Sequence, residues 1–391
     1  MAEPLELHYA VASTNTGHDG DQADASFALG HPEKLTDYAW RAVHEMTVAA
    51  KAIITARYGR SPRQSYWVGC SNGGRQGLKE AQRFPADYNG IAAGAPANNA
   101  VPIAAYMVNV QRALTDSALG FTPRHLALLS AAAVAACDAN DGVTDKVVED
   151  PRSCAFDPST VQCSSADTQN CLTASQVAVV RSLYGGVVNP RSGATLIPGP
   201  TPGGEPMWVV FRPGILPFGV NYFRDIVMQD ASWDPQTFDL DRDVARGLAE
   251  DTAGITAMTA NLGEFISRGG KLLLWHGWID AWVPAKNTIE YYERVLAATG
   301  RGAGSAVRLF MVPGVNHCGV GDGTLFDALQ VIDAWAERGQ APKRIVTQRP
   351  AQGDVPARTR PLCPYPQIAR YRGTGSTDDE GSFECGMPMH R

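Results

Sequence analysis

Residues 65–84 read SYWVGCSNGGRQGLKEAQRF. Ser65–Gly69 suits a short strand, Cys70–Gly74 a tight turn and Arg75–Phe84 a helix. Inside the turn, Gly69-Cys70-Ser71-Asn72-Gly73 fits the pattern G-x-S-x-G between a strand and a helix. In that context a serine is lifted clear of a parallel sheet on a sharp, strained turn. Glycines belong there because neighbouring backbone comes close. The Ser71 hydroxyl is then presented at the surface of the sheet. The Asn72 amide points from a helix start to the place where negative charge would develop. The plain alternative is a Gly-rich turn around a buried serine, and the flanking strand and helix favour the functional reading.

Outward from this turn the chain alternates strand and helix. Leu5–Ser13 reads as a buried strand and Thr14–Gly20 as a loop. Glu33–Tyr58 reads as a long helix, with Pro32 at its first turn and Gly59 past its end. Ile91–Ala95 is a strand. After a long interval, Thr252–Arg268 reads as helix, Gly270–Trp275 as strand, Ser305–Val312 as strand and Gly323–Arg338 as helix. Such alternation predicts a parallel sheet covered by helices. Between Ala97 and about Ala257 the character changes. Two helical patterns, Ile103–Leu119 and Pro123–Cys137, lead into a Cys-, Asp-, Gly- and Pro-rich stretch. This region is too irregular for the sheet and reads as an insertion. The division expected is a core of residues 1–96 and 258–391 with an inserted lid of residues 97–257.

A nucleophilic serine needs a base, and the base an orienting acid. In an α/β core these follow in the order Ser, acid, His, each after a strand. Asp280 follows the strand in GKLLLWHGW, and His317 follows the strand in VRLFMVPG. His276, in the strand-end run, reads as a packed or hydrogen-bonded core histidine. His18 precedes the serine, the wrong order for a base, but suits a pocket wall. His125 and His390 read as surface residues, and Asp322 comes after His317 and breaks the order.

Composition narrows the classes. The chain has 391 residues, of which 44% are hydrophobic and 19% charged, enough for a full core. Lys plus Arg number 34 against 40 Asp plus Glu, a formal charge of −6, so nucleic-acid binding is not expected. No apolar stretch approaches the roughly 18 residues of a membrane span, so no membrane partner is expected. The eight cysteines include three local pairs in polar, Gly/Pro-rich surroundings: Cys137 with Cys154, Cys163 with Cys171, and Cys363 with Cys385. No CxxC is present, so a zinc site has little support. Cys70 and Cys318 remain, either as two buried thiols or as a long-range bridge beside Ser71 and His317. This cysteine usage points to a secreted or periplasmic protein, although Met1-Ala-Glu-Pro opens no signal peptide.

At this point the chain resembles the tannase and feruloyl esterase family. Cys70-Ser71, Asp280 and His317-Cys318 are similar to the family's Cys-Ser / Asp / His-Cys arrangement. Ala10–His18, Gly69–Gly77, Gly90–Pro96, Gly269–Asp280 and Pro313–Gly319 are similar to family segments too. The resemblance implies an α/β-hydrolase core, a large lid inserted between Ser and Asp, and a disulfide between Cys70 and Cys318. It implies hydrolysis of aromatic-acid esters: feruloyl sugars, gallates, chlorogenate or, in one branch, terephthalate monoesters. It also implies a structural Ca²⁺ in the lid, where CDANDGVTDKV (137–147) gathers Asp138, Asp141 and Asp145. Three carboxylates in a turn-rich stretch suit a hard cation. The carbonyls of Val143 and Val147 complete the implied ligand set. The family's second oxyanion donor comes from a glycine run upstream of the segment resembling Ala10–His18. No such run stands here, so the first strands of the core are read as absent. Three expectations follow: an active esterase, a catalytically impaired hydrolase-fold binding protein, or a peptidase or acyltransferase on the same core. An exposed sheet edge would also permit a homo-oligomer. In the lid, Trp208, Phe211, Phe218, Tyr222, Phe223 and Trp233 are candidate substrate contacts. Arg212 and Arg224 are candidates for a substrate carboxylate.

Overall fold

The computed structural model describes residues 2–164, 168–300, 302–319 and 326–388. Four parallel strands form the central sheet: β1 (Tyr66–Cys70), β2 (Gly90–Gly94), β3 (Lys271–Gly277) and β4 (Val307–Val312). Their order across the sheet follows their order in the chain. Cys70 pairs with Gly94, Gly94 with Trp275, and Gly277 with Val312. This register brings the carboxyl ends of all four strands to one edge. Leu272 and Leu274 face a core with Leu78, Tyr291 and Val295, while Leu273 faces Phe310, Ile332 and Trp335 on the other side. Helices therefore cover both faces, as continuous apolar strands require.

The predicted insertion packs around a further buried cluster, which Ala281 and Val283 also join. Helices Ala100–Thr115, Pro123–Cys137, Ala174–Gly185 and Leu240–Ala249 enclose Leu126, Leu129, Val180, Trp208, Phe211 and Phe223. Helix Pro123–Cys137 starts with Pro at its first turn and a Thr122/His125 capping box. That box corrects the reading of His125 as a surface residue. Its ring is buried because it returns to the Thr122 amide and also contacts the Thr168 carbonyl.

Other readings are also corrected. Leu5–Ser13 forms no strand. Ala2–Glu6 is a short helix, and Leu7, His8 and Tyr9 close turns onto Glu3, Leu5 and Pro4. The apolar alternation finds no neighbouring strand there, and Glu3 and Pro4 suit a first helical turn. The helix expected over 252–268 shrinks to Gly263–Ser267. Gly254 takes φ +72°, and the Asp251 carboxylate accepts from the amides of Ile255 and Thr256. The carbonyls of Ile255, Thr256 and Ala257 are drawn to Arg75, Lys79 and Gln82, which leaves the strip non-helical. The long helix expected over 33–58 is present from Pro32, but a π turn interrupts it at Asp37–Arg41. The last helix is Ala328–Arg338, capped by Asp327, and the first residues predicted for it lie outside the described ones.

Behind the sheet, His44, Glu80 and Asp87 bring their polar atoms within 4.8 Å of one another. His44 Nδ1 donates to Asp87 at 2.7 Å, and Lys51 donates to the Asp87 carbonyl. Glu80 is 1% exposed and accepts no hydrogen bond. Burial, and then the neighbouring Asp87 carboxylate, push its carboxyl up to about 8. Glu80 is thus protonated near neutrality and faces Asp87 as an acid. Such a group contributes its full stabilisation below its unfolded value of about 4.5 and loses it as pH climbs to about 8. Glu80→Gln should therefore melt close to the parent at pH 5. At pH 9 it should be more stable by roughly 1–3 kcal/mol. Thermal melts at the two pH values check this, and a gap that does not widen with pH refutes it.

Candidate active site

The turn after β1 is strained as its sequence demands. Ser71 sits at φ 60°, ψ −120°, and helix Asn72–Arg83 starts directly after it. The two glycines that matter are Gly69 and Gly74. A Cβ on Gly69 would lie 2.7 Å from the Gly73 carbonyl, and one on Gly74 would lie 2.5 Å from the Gly94 carbonyl. Gly73, the second glycine of the pattern, has open space, so the close approach falls one residue later than the motif implies. Helix Asn72–Arg83 also starts three residues earlier than predicted, which places the Asn72 amide at a helix N-terminus beside Ser71.

Asp280 lies in the loop after β3 and is fully buried. Its Oδ2 accepts from His317 Nδ1 at 2.7 Å and from His276 Nε2 at 2.9 Å. Its Oδ1 accepts from the amides of Trp282 and Val283, at 2.8 and 2.9 Å. Burial alone would raise its pKa. The charge and hydrogen bond of His317, together with those of His276, outweigh burial and hold the carboxyl well below the usual carboxylate range. His276 reads as expected, a fully buried core histidine, and its Nδ1 contacts the Thr288 hydroxyl at 2.8 Å. Because Asp280 only accepts, His317 carries its proton on Nδ1 and offers Nε2 as a base. The Asn316 side chain accepts from the amides of His317 and Ala281, which aligns both loops. Trp282 tilts against the His317 ring at 4.9 Å.

All eight cysteines are paired, including the three local pairs expected. The fourth disulfide joins Cys70 to Cys318 across 248 residues, with Cα atoms 5.9 Å apart. Ser71 and His317 therefore stand next to the two ends of one covalent clamp.

Ser71, Asn72 and His317 line one cavity of about 610 Å³. Its walls are mostly apolar: Ala100, Ile103, Ala104, Met107, Phe218, Tyr222 and Ile226 from the insertion, with Phe27, Tyr38 and Trp282 from outside it. Thr16, His18, Gln22 and Asp24 contribute polar atoms. His18 is thus in the wall, as its sequence position suggested. Of the candidate aromatic contacts, Phe218 and Tyr222 reach the cavity, whereas Trp208, Phe211 and Phe223 are buried in the insertion's own core and Trp233 packs against it. Arg212 donates to the Phe121 carbonyl, and Arg224 is paired with Asp225 through both carboxylate oxygens. The wall residues Phe27, Tyr38 and Trp282 escaped sequence reading, since no local pattern marks an aromatic as facing a cavity. Asn316 carried a weak signal, its place beside His317. Asp322 and His390 lie outside the described residues.

In the Asp-rich loop the backbone wraps around Asp138, whose carboxylate accepts from the amides of Asp145, Lys146 and Val147. Asp141 accepts from the Val143 amide. Burial, with repulsion from Asp145 and Asp138, raises Asp141 to about 6, against the Val143 bond and Arg360. Arg360 and Arg358 pair with Asp145. Among the described residues, the carbonyls of Val143 and Val147 accept from no donor. An electron-rich loop with two open carbonyls and a desolvated carboxyl fits a hard cation.

A family model described as tannase and feruloyl esterase matches residues 1–386. An uncharacterized esterase of Xanthomonas campestris is 37% identical, over 97% of this chain and 75% of its own length. Mono(2-hydroxyethyl) terephthalate hydrolase of Piscinibacter sakaiensis is 34% identical, over 99% of this chain and 75% of its own. A probable feruloyl esterase B-1 of Aspergillus terreus is 31% identical, over 97% and 76%. The crystal structure of feruloyl esterase B from Aspergillus oryzae superposes with a TM-score of 0.90 at 28% identity, covering 98% of this chain and 80% of that one. That likeness, with the parallel sheet and its flanking helices, makes the fold an α/β-hydrolase. A family match over nearly the whole chain, carried on a sheet whose strand ends gather Ser71, Asp280 and His317, has one meaning: the chain belongs to the tannase and feruloyl esterase family and is a carboxylic ester hydrolase.

Proposed function

We propose that the chain is a serine esterase of aromatic-acid esters, with Ser71 as nucleophile, His317 as base, Asp280 as orienting acid and the Asn72 amide as oxyanion donor. The observation that carries this reading is the shared cavity, in which Ser71 and a His317 held by buried Asp280 meet an aromatic wall. Ser71 Oγ attacks the ester carbonyl while His317 Nε2 takes its proton. The negative charge that forms on the carbonyl oxygen is met by the Asn72 amide at the start of its helix. Collapse of the intermediate expels the alcohol, which takes the proton back from His317. Water, deprotonated by His317, then frees the acid from the acyl-enzyme. Asp280 stays ionised throughout, since four donors hold its charge.

The substrate reading follows from the wall. A largely apolar wall with Phe27, Tyr38, Phe218, Tyr222 and Trp282 suits an aromatic acyl group. A terephthalate monoester brings a second carboxylate, which asks for a free cation. Arg212 and Arg224 are outside the wall, and Arg224 is already neutralised by Asp225. Arg75 does line the cavity, but its Nε, Nη1 and Nη2 already donate to Asn72 and to the carbonyls of Ala39, Ile255 and Tyr38. Asp24 stands in the wall with its pKa lowered by the Ser26 amide, so it is charged. Esters of neutral phenolic acids are therefore the favoured class.

In the Asp-rich loop, Asp138, Asp141, Asp145 and the carbonyls of Val143 and Val147 would hold Ca²⁺. The ion would neutralise the loop and supply nothing to the ester. Residues 97–257 are proposed to act as the lid. No helix among the described residues is long and apolar enough to cross a membrane. Four disulfides suit an oxidising compartment, which supports a secreted or periplasmic location.

Three outcomes are expected. Ser71→Ala should abolish hydrolysis of methyl ferulate and of a p-nitrophenyl ester, and Asp280→Asn should lower kcat by on the order of 10³–10⁴; a folded Ser71→Ala that keeps parental kcat rules the mechanism out. Methyl ferulate should exceed monomethyl terephthalate in kcat/KM by about tenfold or more, a gap worth ~1.4 kcal/mol, and equal values would return the terephthalate class to first place. Chelation with EDTA should lower Tm, and added Ca²⁺ should restore it; Asp141→Asn should remove the response, and a chelator-insensitive Tm would show that no cation is held.

A further inference from the structure

We propose that Arg75 is a positioning residue for the esterase reaction, a buried cation that clamps Asn72 and keeps positive potential behind the oxyanion site. The inference rests on the reading of Ser71 as nucleophile and Asn72 as oxyanion donor.

Arg75 lies one turn into the helix that begins at Asn72, and its amide donates to the Ser71 carbonyl. It is 1% exposed. Its Nε donates to Asn72 Oδ1 at 2.6 Å. Nη1 donates to the carbonyls of Ala39 and Ile255, at 2.8 and 3.1 Å, and Nη2 to that of Tyr38 at 2.9 Å. The Tyr38 ring lies 5.1 Å from the guanidinium. Each of these hydrogen-bond partners is neutral, and among the described residues no carboxylate forms an ion pair with Arg75; the Asp251 carboxylate, engaged by the amides of Ile255 and Thr256, acts on it only through space.

This is an expensive arrangement. A buried charge is normally paired, and one solvated only by neutral oxygens carries a large desolvation cost. A mere tie between the three segments could be made by a neutral amide. What a guanidinium adds is a charge that cannot be removed by deprotonation. Arg75, Ser71 and Asn72 line the same cavity, so that charge stands close to where a carbonyl oxygen becomes an oxyanion. In a water-poor site, positive potential already in place favours the transition state over the neutral ground state. The fold is shaped to hold it. The π turn at Asp37–Arg41 presents the Tyr38 and Ala39 carbonyls, and such turns often mark functional sites. The non-helical strip after Gly254 presents that of Ile255.

The test compares R75K, which keeps the charge, with R75Q and R75M, which do not, on methyl ferulate. Tm and near-ultraviolet circular dichroism show which variants are folded. Loss of transition-state potential predicts that R75Q and R75M lose at least thirtyfold in kcat with KM within threefold of the parent, and that R75K loses less than tenfold. Phosphonylation of Ser71 by a neutral p-nitrophenyl phosphonate, which also builds an anionic oxygen, should slow in parallel. Folded R75Q with kcat within threefold of the parent overturns the proposal. Equal losses in R75K and R75Q overturn it too, as does a loss seen in KM alone. If neither neutral variant folds, R75K decides: a folded R75K that loses a hundredfold overturns it, and one within tenfold supports it. Ser71→Ala separates the two levels, because full activity there would sink the serine reading itself, whereas activity lost there but retained in R75Q sinks only the role of Arg75.

Discussion

A buried negative charge at Asp280 organises the active end of the sheet. Its cost in the interior is met by donors from several places: His317 after β4, His276 at the end of β3, and the amides of Trp282 and Val283 in its own loop. Removing any donor would leave an under-satisfied buried carboxylate, so the loops lock together. The parallel register makes this possible, because it delivers the ends of β1, β3 and β4 to one edge. The Cys70–Cys318 bridge then ties the serine's strand to the histidine's loop covalently. Charge satisfaction sets the imidazole, and the disulfide sets its distance from the elbow.

A second buried charge, the cation of Arg75, is held by the opposite kind of partner. Asp280 gains stability from histidines and amides, whereas Arg75 is held by carbonyls from the π turn and from the strip after Gly254. In the proposed mechanism, Asp280 supports a cationic imidazole and Arg75 favours an anionic oxygen. Both charges are shielded from water, which raises their effect over short distances.

The cavity is made jointly. Ala100, Ile103, Ala104 and Met107 of helix Ala100–Thr115 reach the cavity, while its Val101, Ala105, Val108, Val110 and Leu114 pack in the buried cluster. Phe27, Tyr38 and Trp282 close it from the hydrolase core. Thr16, His18, Gln22, Asp24 and Arg75 give this wall its polar character, while Arg212 and Arg224 are spent on internal partners.

Much of this was legible in the residues themselves. The elbow, the order of Ser71, Asp280 and His317, the strands β1–β4 and helix Pro123–Cys137 all follow from local pattern, because hydrophobic period and turn chemistry act over a few residues. Local reading failed where distant partners decide. Leu5–Ser13 has a strand's pattern but no strand beside it, and the stretch after Thr252 has a helix's pattern but loses its carbonyls to Arg75, Lys79 and Gln82. His125 looked polar and free, yet a cap buries it. The residues of the candidate site were therefore legible in short motifs. The identity of the cavity wall, the partners of Asp280 and the neutral cage around Arg75 exist only after chain segments up to hundreds of residues apart have met, since solvation and charge depend on what surrounds a group in space.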